Sequence, residues 1–331
     1  MKFLLSFIII IFIANSIVFL HARIITVDKK SPSQGDYTSL RSAFDAASDG
    51  DTIYVYPNEI AYNIGVEPSW SDTIRKKLTI IGSGCGYPNQ NLITSKLGGY
   101  LNFDTGSEGS KIIGFDGSFS ISIGADSIFV ARNYLFKLYV KPYHSNTSII
   151  QNIFNNTQWP VISIEIDRNN DVLIANNIIS NINRLGIWTN EDDITISLIN
   201  NILKCDIDLN LTNKTVINNI IISGTYNGTD TGLTYNMCDG TQLPEGTGNI
   251  RNVDMNTVFI DPDNLDFHLK PNSPARGTGK DGVDMGIYGG STPFVDGGYP
   301  GIPSIIELDA DHLGSKQSGI KVKIKAKSNK D

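Results

Sequence analysis

The chain is predicted to be all-β, a continuous winding of short strands stacked in parallel, on three observations. The first is a phrase that returns. An apolar run climbs to an asparagine and is followed by two more apolar residues, at 128–135, 149–154, 172–179, 194–203 and 215–221. The marker asparagines are Asn133, Asn152, Asn177, Asn201 and Asn219, with gaps of 19, 25, 24 and 18. A period of about 20 to 25 residues signals stacked strand–turn units. The second is a set of further short strands between the copies, at 161–166, 185–188 and 206–211. Each unit thus holds a strand, a polar corner, a second strand ending at the asparagine, and a short apolar segment. The third is the supply of turn residues, 31 Gly with abundant Asn, which many corners require. Because each strand type returns once per period, tight hairpins are excluded. Parallel stacking at about 4.8 Å per level satisfies the backbone instead, over roughly nine or ten levels.

The elements follow in order. Residues 1–22 read as a secretory signal peptide: Lys2, then an apolar stretch from Phe3 to Leu20, then a small residue at Ala22. A run of about 18 apolar residues also suits an uncleaved membrane anchor. Either way the remainder is expected outside the cytoplasm, secreted or at the cell surface. Ile24–Lys30 is extended. Asp36–Ala47 reads as a helix capped by Thr38 or Asp36, with Leu40, Ala43, Phe44 and Ala47 on one apolar face. Asp49-Gly50-Asp51 stops it and Thr52–Tyr56 is a strand. Covering the open end of a strand stack is what such a helix does well. Segments 77–82 and 111–115 are further strands. Asn tolerates left-handed backbone at a sharp corner, and stacked Asn amides can bond to one another from level to level. From Phe259 to Gly290 the prolines and glycines predict an irregular closure of the winding. The expected layout is a stacked domain over 23–298 and a small β extension over 299–331. In that extension Ile320, Val322, Ile324 and Ala326 alternate with lysines, which predicts a half-buried strand with a charged outer face.

Composition narrows the function. Of 331 residues, 40% are hydrophobic and 18% charged, enough to bury a core. The net charge of −7 argues against nucleic acid, since phosphate wants a basic surface. Contact with a membrane is expected only through an uncleaved N-terminal segment. Cys85, Cys205 and Cys238 are an odd number and read as buried free thiols. A monomer is expected.

The opening residues 35–40 and 49–55, with the closing residues 266–275 and 284–290, resemble the right-handed parallel β-helix superfamily, also called pectate-lyase-like. The resemblance spans about residues 24 to 290. It implies a single-stranded right-handed parallel β-helix with an N-terminal capping helix and a small C-terminal β tail. It leaves the activity open, because lyases, hydrolases, esterases, epimerases and adhesins share that fold.

Candidate chemistry comes from aligning corners by the Asn spacing. Counting eight back from Asn152, Asn177 and Asn201 gives His144, Asn169 and Asp193. One corner then carries Lys141, His144, Asp167, Arg168, Asp171, Glu191, Asp192 and Asp193, with Trp188 nearby. Asp192, Asp193, Arg168 and Asp167 are the candidate catalytic set; His144, Lys141, Trp188, Glu191 and Asp171 are the candidate binding set. Paired carboxylates suit acid–base work on a glycosidic bond. Arg168 or Lys141 suits proton abstraction beside a sugar carboxylate. Stacked carboxylates suit Ca²⁺ through oxygen ligands, and no other cofactor is indicated. Asp and Asn also fill such corners simply because they turn well and face water. Glu191-Asp192-Asp193 superficially resembles the paired aspartates of polygalacturonase-like hydrolases, but the chain has no Gly-His-Gly or Arg-Ile-Lys segment beside it. The first expectation is therefore a carbohydrate- or surface-binding scaffold that displays an acidic face to a polysaccharide or cell-surface glycan. The alternative is a polysaccharide lyase or glycoside hydrolase working at the 141–193 corner.

Overall fold

A computed structural model of the chain describes residues 22–65, 72–87, 93–155, 162–165, 171–188, 195–209, 213–229, 231–310 and 319–327. Among these residues the protein is mostly β, with two short α-helices, Leu40–Ala46 and Met255–Val258. Two long sheets hold parallel strands only, and the chain passes back and forth between them. The first has ten strands, one per level: Ile24–Val27, Thr52–Val55, Thr79–Ile81, Lys111–Ile113, Phe129–Ala131, Thr147–Ile150, Val172–Ala175, Ile196–Ile199, Lys214–Ile217 and Leu233–Thr234. The second has thirteen strands in two limbs. One limb holds the short segments that follow each marker asparagine. The other holds strands such as Phe119–Ile123, Lys137–Val140 and Ile162–Glu165. Ile178–Trp188 passes through both limbs, with a register break between Ser180 and Arg184.

Period-two alternation fills the interior. Ile53, Ile80, Ile112, Val130, Ile149, Ile174, Leu198 and Val216 lie at matching positions of successive levels and are at most 2% exposed. They meet Leu101, Phe103, Ile121, Ile123, Leu138 and Val140 of the second sheet in one cluster. The helix Leu40–Ala46 adds Leu40, Ala43 and Phe44 to that cluster, as its spacing predicts. Its cap is Ser39, whose hydroxyl accepts from the Ser42 N–H at 3.2 Å. Asp36, an expected cap, instead accepts from the N–H and hydroxyl of Thr26, both at 2.8 Å.

The asparagine ladder forms, with one correction. Each marker Asn is fully buried. The Asn152 N–H and Nδ2 donate to Asn177 Oδ1 at 2.8 and 3.1 Å, and Asn177 repeats this toward Asn201 at 2.9 and 3.0 Å. The series runs from Asn133 through Asn219 and Asn236 to Asn249. The left-handed backbone, however, belongs to the residue before each marker: Arg132, Gln151, Asn176, Asn200, Asn218 and Tyr235 have φ between 53 and 61°. The chain turns the corner one residue early, which leaves the marker extended and its N–H aimed at the next amide.

The two apolar residues after each marker divide the same way. Phe154, Ile179, Leu203 and Ile221 face the interior cluster. Ile153, Ile178, Ile202 and Ile220 face the other side and join a second cluster with Val258, Phe259, Phe267, Leu269, Met285, Ile287 and Phe294. The C-terminal segment therefore runs along the outside of the stack, where an irregular closure was expected. It climbs back level by level, held by the corner residues. Asn218 Oδ1 accepts from Lys280 N–H, Asn200 Nδ2 donates to Gly286 O, Asn176 Nδ2 donates to Ile287 and Gly289 O, and Gln151 Nε2 donates to Thr292 and Pro293 O. Arg132 reaches Tyr299 O at 2.9 Å. Gly298 sits so close that a Cβ there would lie 2.5 Å from Cys85 Sγ. All three cysteines are free and buried, and burial pushes the Cys85 thiol up to about 12.

Ser304–Ala310 and Val322–Lys327 form an antiparallel pair. The strand is not half-buried as expected: Ile320, Val322 and Ile324 are 59, 53 and 57% exposed, and this two-stranded sheet pairs with no other strand among the described residues.

At the N-terminal end of the stack Asp51, 2% exposed, accepts from Arg23 N–H, Arg23 Nε and Ser48 N–H at 2.9, 2.9 and 2.8 Å. Burial alone would raise its carboxyl pKa. The bonds from Arg23 and Ser48 and the Arg23 charge outweigh it and hold the group below its ordinary value. A folded pKa below the unfolded one means that this stabilisation is present at neutral pH and is lost as the pH falls below the ordinary carboxylate range. Urea midpoints measured from about pH 5 to about pH 2 are expected to fall less steeply for Asp51→Asn than for the parent. Parallel curves would remove Asp51 from the acid limb.

Candidate binding face and its corner

The outward side of the second sheet's second limb is the face on which the predicted corner stands. Leu101, Ile121 and Leu138, then Phe103, Ile123 and Val140, point inward, so the residue between them points out. Register places Asn102, Ser122, Tyr139, Ser163, Gly186, Asp208 and Asn227 in one row, one per level. Asn227 Nδ2 donates to Asp208 Oδ1 at 2.9 Å. A neighbouring row brings Tyr100, Ser120 and Lys137 together. Tyr100 and Tyr139 are both partly exposed, so the face carries flat rings among polar groups.

The strands of this limb lead into the corner. Lys141 follows Val140, and its N–H donates to Ile123 O at 2.8 Å. Its side chain lies over Gly124, where a Cβ would come within 3.0 Å of Lys141 Cδ and Nζ. His144 Nδ1 stands 3.4 Å from Asp126 Oδ1, which also accepts from Ser145 N–H at 2.9 Å. Asp171 is exposed, and its carbonyl accepts from Thr147 N–H at 3.0 Å. It borders a shallow depression of about 300 Å³ with Asn146, Thr147, Ser148, Thr195 and Ser197. Thr147, Val172 and Ile196 are paired in register, so Asp171 lies one level from Asn146, as the asparagine count requires.

Lys141 and His144 thus lie in one turn, beside Gly124 and Asp126 of the level below, and Asp171 lies one level above that turn, in register with Asn146. Trp188 is placed by its backbone, paired with Glu165 at the same end of the limb. Asp167, Arg168, Glu191, Asp192 and Asp193 lie outside the described residues. Among the described residues no three His, Cys, Asp or Glu side chains stand close enough to hold a metal ion. Asp126 was missed. The signal was present, because seven back from Asn133 is Asp126 and seven back from Asn152 is Ser145, the residues the structure bonds. The face itself was missed because Tyr100 and Tyr139 sit in strands that lack a marker. Comparison with family models, curated proteins and solved structures returns no match.

Proposed function

We propose that this chain is a secreted or surface-held right-handed parallel β-helix that binds a glycan along its outer wall as a monomer, without cleaving it. The two all-parallel sheets visited in alternation, together with the amide ladder, support the winding, and the helix Leu40–Ala46 is its cap. The observation that carries the binding role is the in-register outward row through Tyr139, with Tyr100 beside it. Aromatic faces take up the apolar sides of sugar rings while partly exposed polar neighbours such as Ser120 and Lys137 bond the sugar hydroxyls. A wall fixed by parallel strands on successive levels presents these groups without an ordering cost on binding. The leader ends at Ala22, so that the freed amino group of Arg23 would face Asp51. N-terminal sequencing of the exported protein tests that assignment.

Residues 23–331, incubated with acidic and neutral polysaccharides with and without Ca²⁺, test the binding role. Retention on one polysaccharide class is expected, weakened about tenfold in Tyr139→Ala, which is about 1.4 kcal/mol. Retention that Tyr139→Ala leaves unchanged would remove the wall from the role. Release of unsaturated or reducing-end products that vanishes in Asp192→Ala and Asp193→Ala would replace this reading with a lyase or hydrolase at the 141–193 corner.

A further inference from the structure

A second concave site lies on the other sheet, away from the proposed glycan wall. On the outward side of the ten-stranded sheet, register aligns Ile113, Ala131 and Ile150 on three successive levels. Phe129 lies two residues before Ala131 on the same strand and the same face, paired with Lys111. The returning C-terminal segment passes over these levels and stands off from them, leaving a cleft of about 470 Å³ between Ile113, Phe129 and Ile150 on one side and Pro293 and Val295 on the other. That volume falls within the range of small-molecule sites, about 300 to 1,000 Å³. The far wall is anchored rather than draped, because Gln151 Nε2 holds the Thr292 and Pro293 carbonyls at 3.1 and 2.6 Å and Arg132 holds Tyr299 O at 2.9 Å.

The charge of the cleft is the informative feature. The chain carries −7 overall, yet the charged residues lining this cleft are both cations, Lys111 and Arg132, and no carboxylate is among its described lining residues. Lys111 is exposed and has no ion pair among the described residues. Its Nζ stands 5.8 Å from the centre of the Phe129 ring. An ammonium beside an aromatic wall, with apolar surface around it, selects an anion attached to an apolar body. A cation would be repelled, and a fully polar ligand would lose its hydration against Ile113, Ile150 and Val295.

We propose that this cleft binds a small organic carboxylate with an apolar body, the body between Phe129 and Val295 and the carboxylate at the Lys111 ammonium. Methyl-labelled isoleucine spectra of residues 23–331 test it, with sodium octanoate, octylammonium and galacturonate as probes. Octanoate is expected to shift Ile113 and Ile150 saturably, and octylammonium to bind at least tenfold more weakly. Lys111→Gln is expected to weaken octanoate at least fivefold without changing the thermal midpoint, whereas Tyr139→Ala leaves it unchanged. Ala131→Phe is expected to fill the cleft and abolish the shifts. Failure of octanoate to move these methyl groups, equal binding of octylammonium, stronger binding of galacturonate, or an unaltered affinity in Lys111→Gln would each overturn the assignment.

Discussion

Ile174→Asp and Leu198→Asp are each expected to abolish cooperative folding. The two side chains occupy paired positions on adjacent levels, 0 and 1% exposed, in the cluster that joins the two sheets. Removing the aliphatic side chain alone costs about 2 to 5 kcal/mol. Burying a carboxylate without a partner adds several kcal/mol more. The sum approaches the whole stability of a typical domain, about 5 to 15 kcal/mol. The adjacent position is the control. Leu173 is partly exposed on the outward side of the same strand, so Leu173→Asp is expected to cost about 1 kcal/mol or less. Circular dichroism during urea titration separates the cases. Soluble, cooperatively unfolding proteins from both inward substitutions would mean that the inside and outside of the stack are assigned the wrong way round.

That assignment was legible in the amino-acid order because a strand has only two sides and the marker asparagine repeats once per level. Asn152, Asn177 and Asn201 fix the register, and every inward residue of the neighbouring strands follows by alternation. What a single level cannot reveal is where its second apolar residue goes. Ile178 and Ile202 look like core residues by composition, but they face Met285 and Ile287, which arrive some hundred residues later. The same long return explains the corners. Asn176 and Asn200 adopt left-handed angles with their side chains turned out, because their Nδ2 groups cap carbonyls of the returning segment. Nothing local distinguishes that role from the inward role of Asn177 and Asn201. The cleft beside Phe129 was hidden for the same reason, since one of its walls is Pro293 and Val295. Along the polar turns the level spacing carries over, as the placing of Asp171 in register with Asn146 and of Asp126 against Ser145 shows. The alternation that predicted a half-buried strand over 320–326 failed because alternation reports two unlike faces and says nothing about whether another layer covers the apolar one.

Asn177→Ala is expected to be far more damaging than its polarity suggests, and far more damaging than a change at its neighbour. Asn177 Oδ1 accepts both the N–H and the Nδ2 of Asn152, while its own Nδ2 donates to Ile149 O at 2.8 Å and Asn201 Oδ1 at 3.0 Å. Alanine leaves the buried Asn152 N–H unpaired with no route to water, at about 1 to 3 kcal/mol, and strips the Ile149 carbonyl of its second donor. It also interrupts a chain of amides in which each bond polarises the next. A loss of about 3 to 6 kcal/mol follows. Asn177→Asp is expected to be worse still, because a carboxylate has no proton to give Ile149 O or Asn201 Oδ1 and would bring a buried charge against both. Asn176→Gly is the contrast. Glycine accepts the left-handed angle of 53° without strain, so the loss is confined to bonds with the returning segment: Nδ2 to Ile287 and Gly289 O, and Thr292 Oγ1 to Oδ1. Its effect should appear as faster amide exchange in 284–292 with little change in the strands of either sheet. Thermal unfolding and hydrogen exchange on the pair therefore separate a ladder that holds the levels together from a corner row that holds the returning segment. If Asn177→Ala and Asn176→Gly lowered stability equally and loosened the same amides, the two rows would be one mechanical unit and the division of labour between them would be wrong.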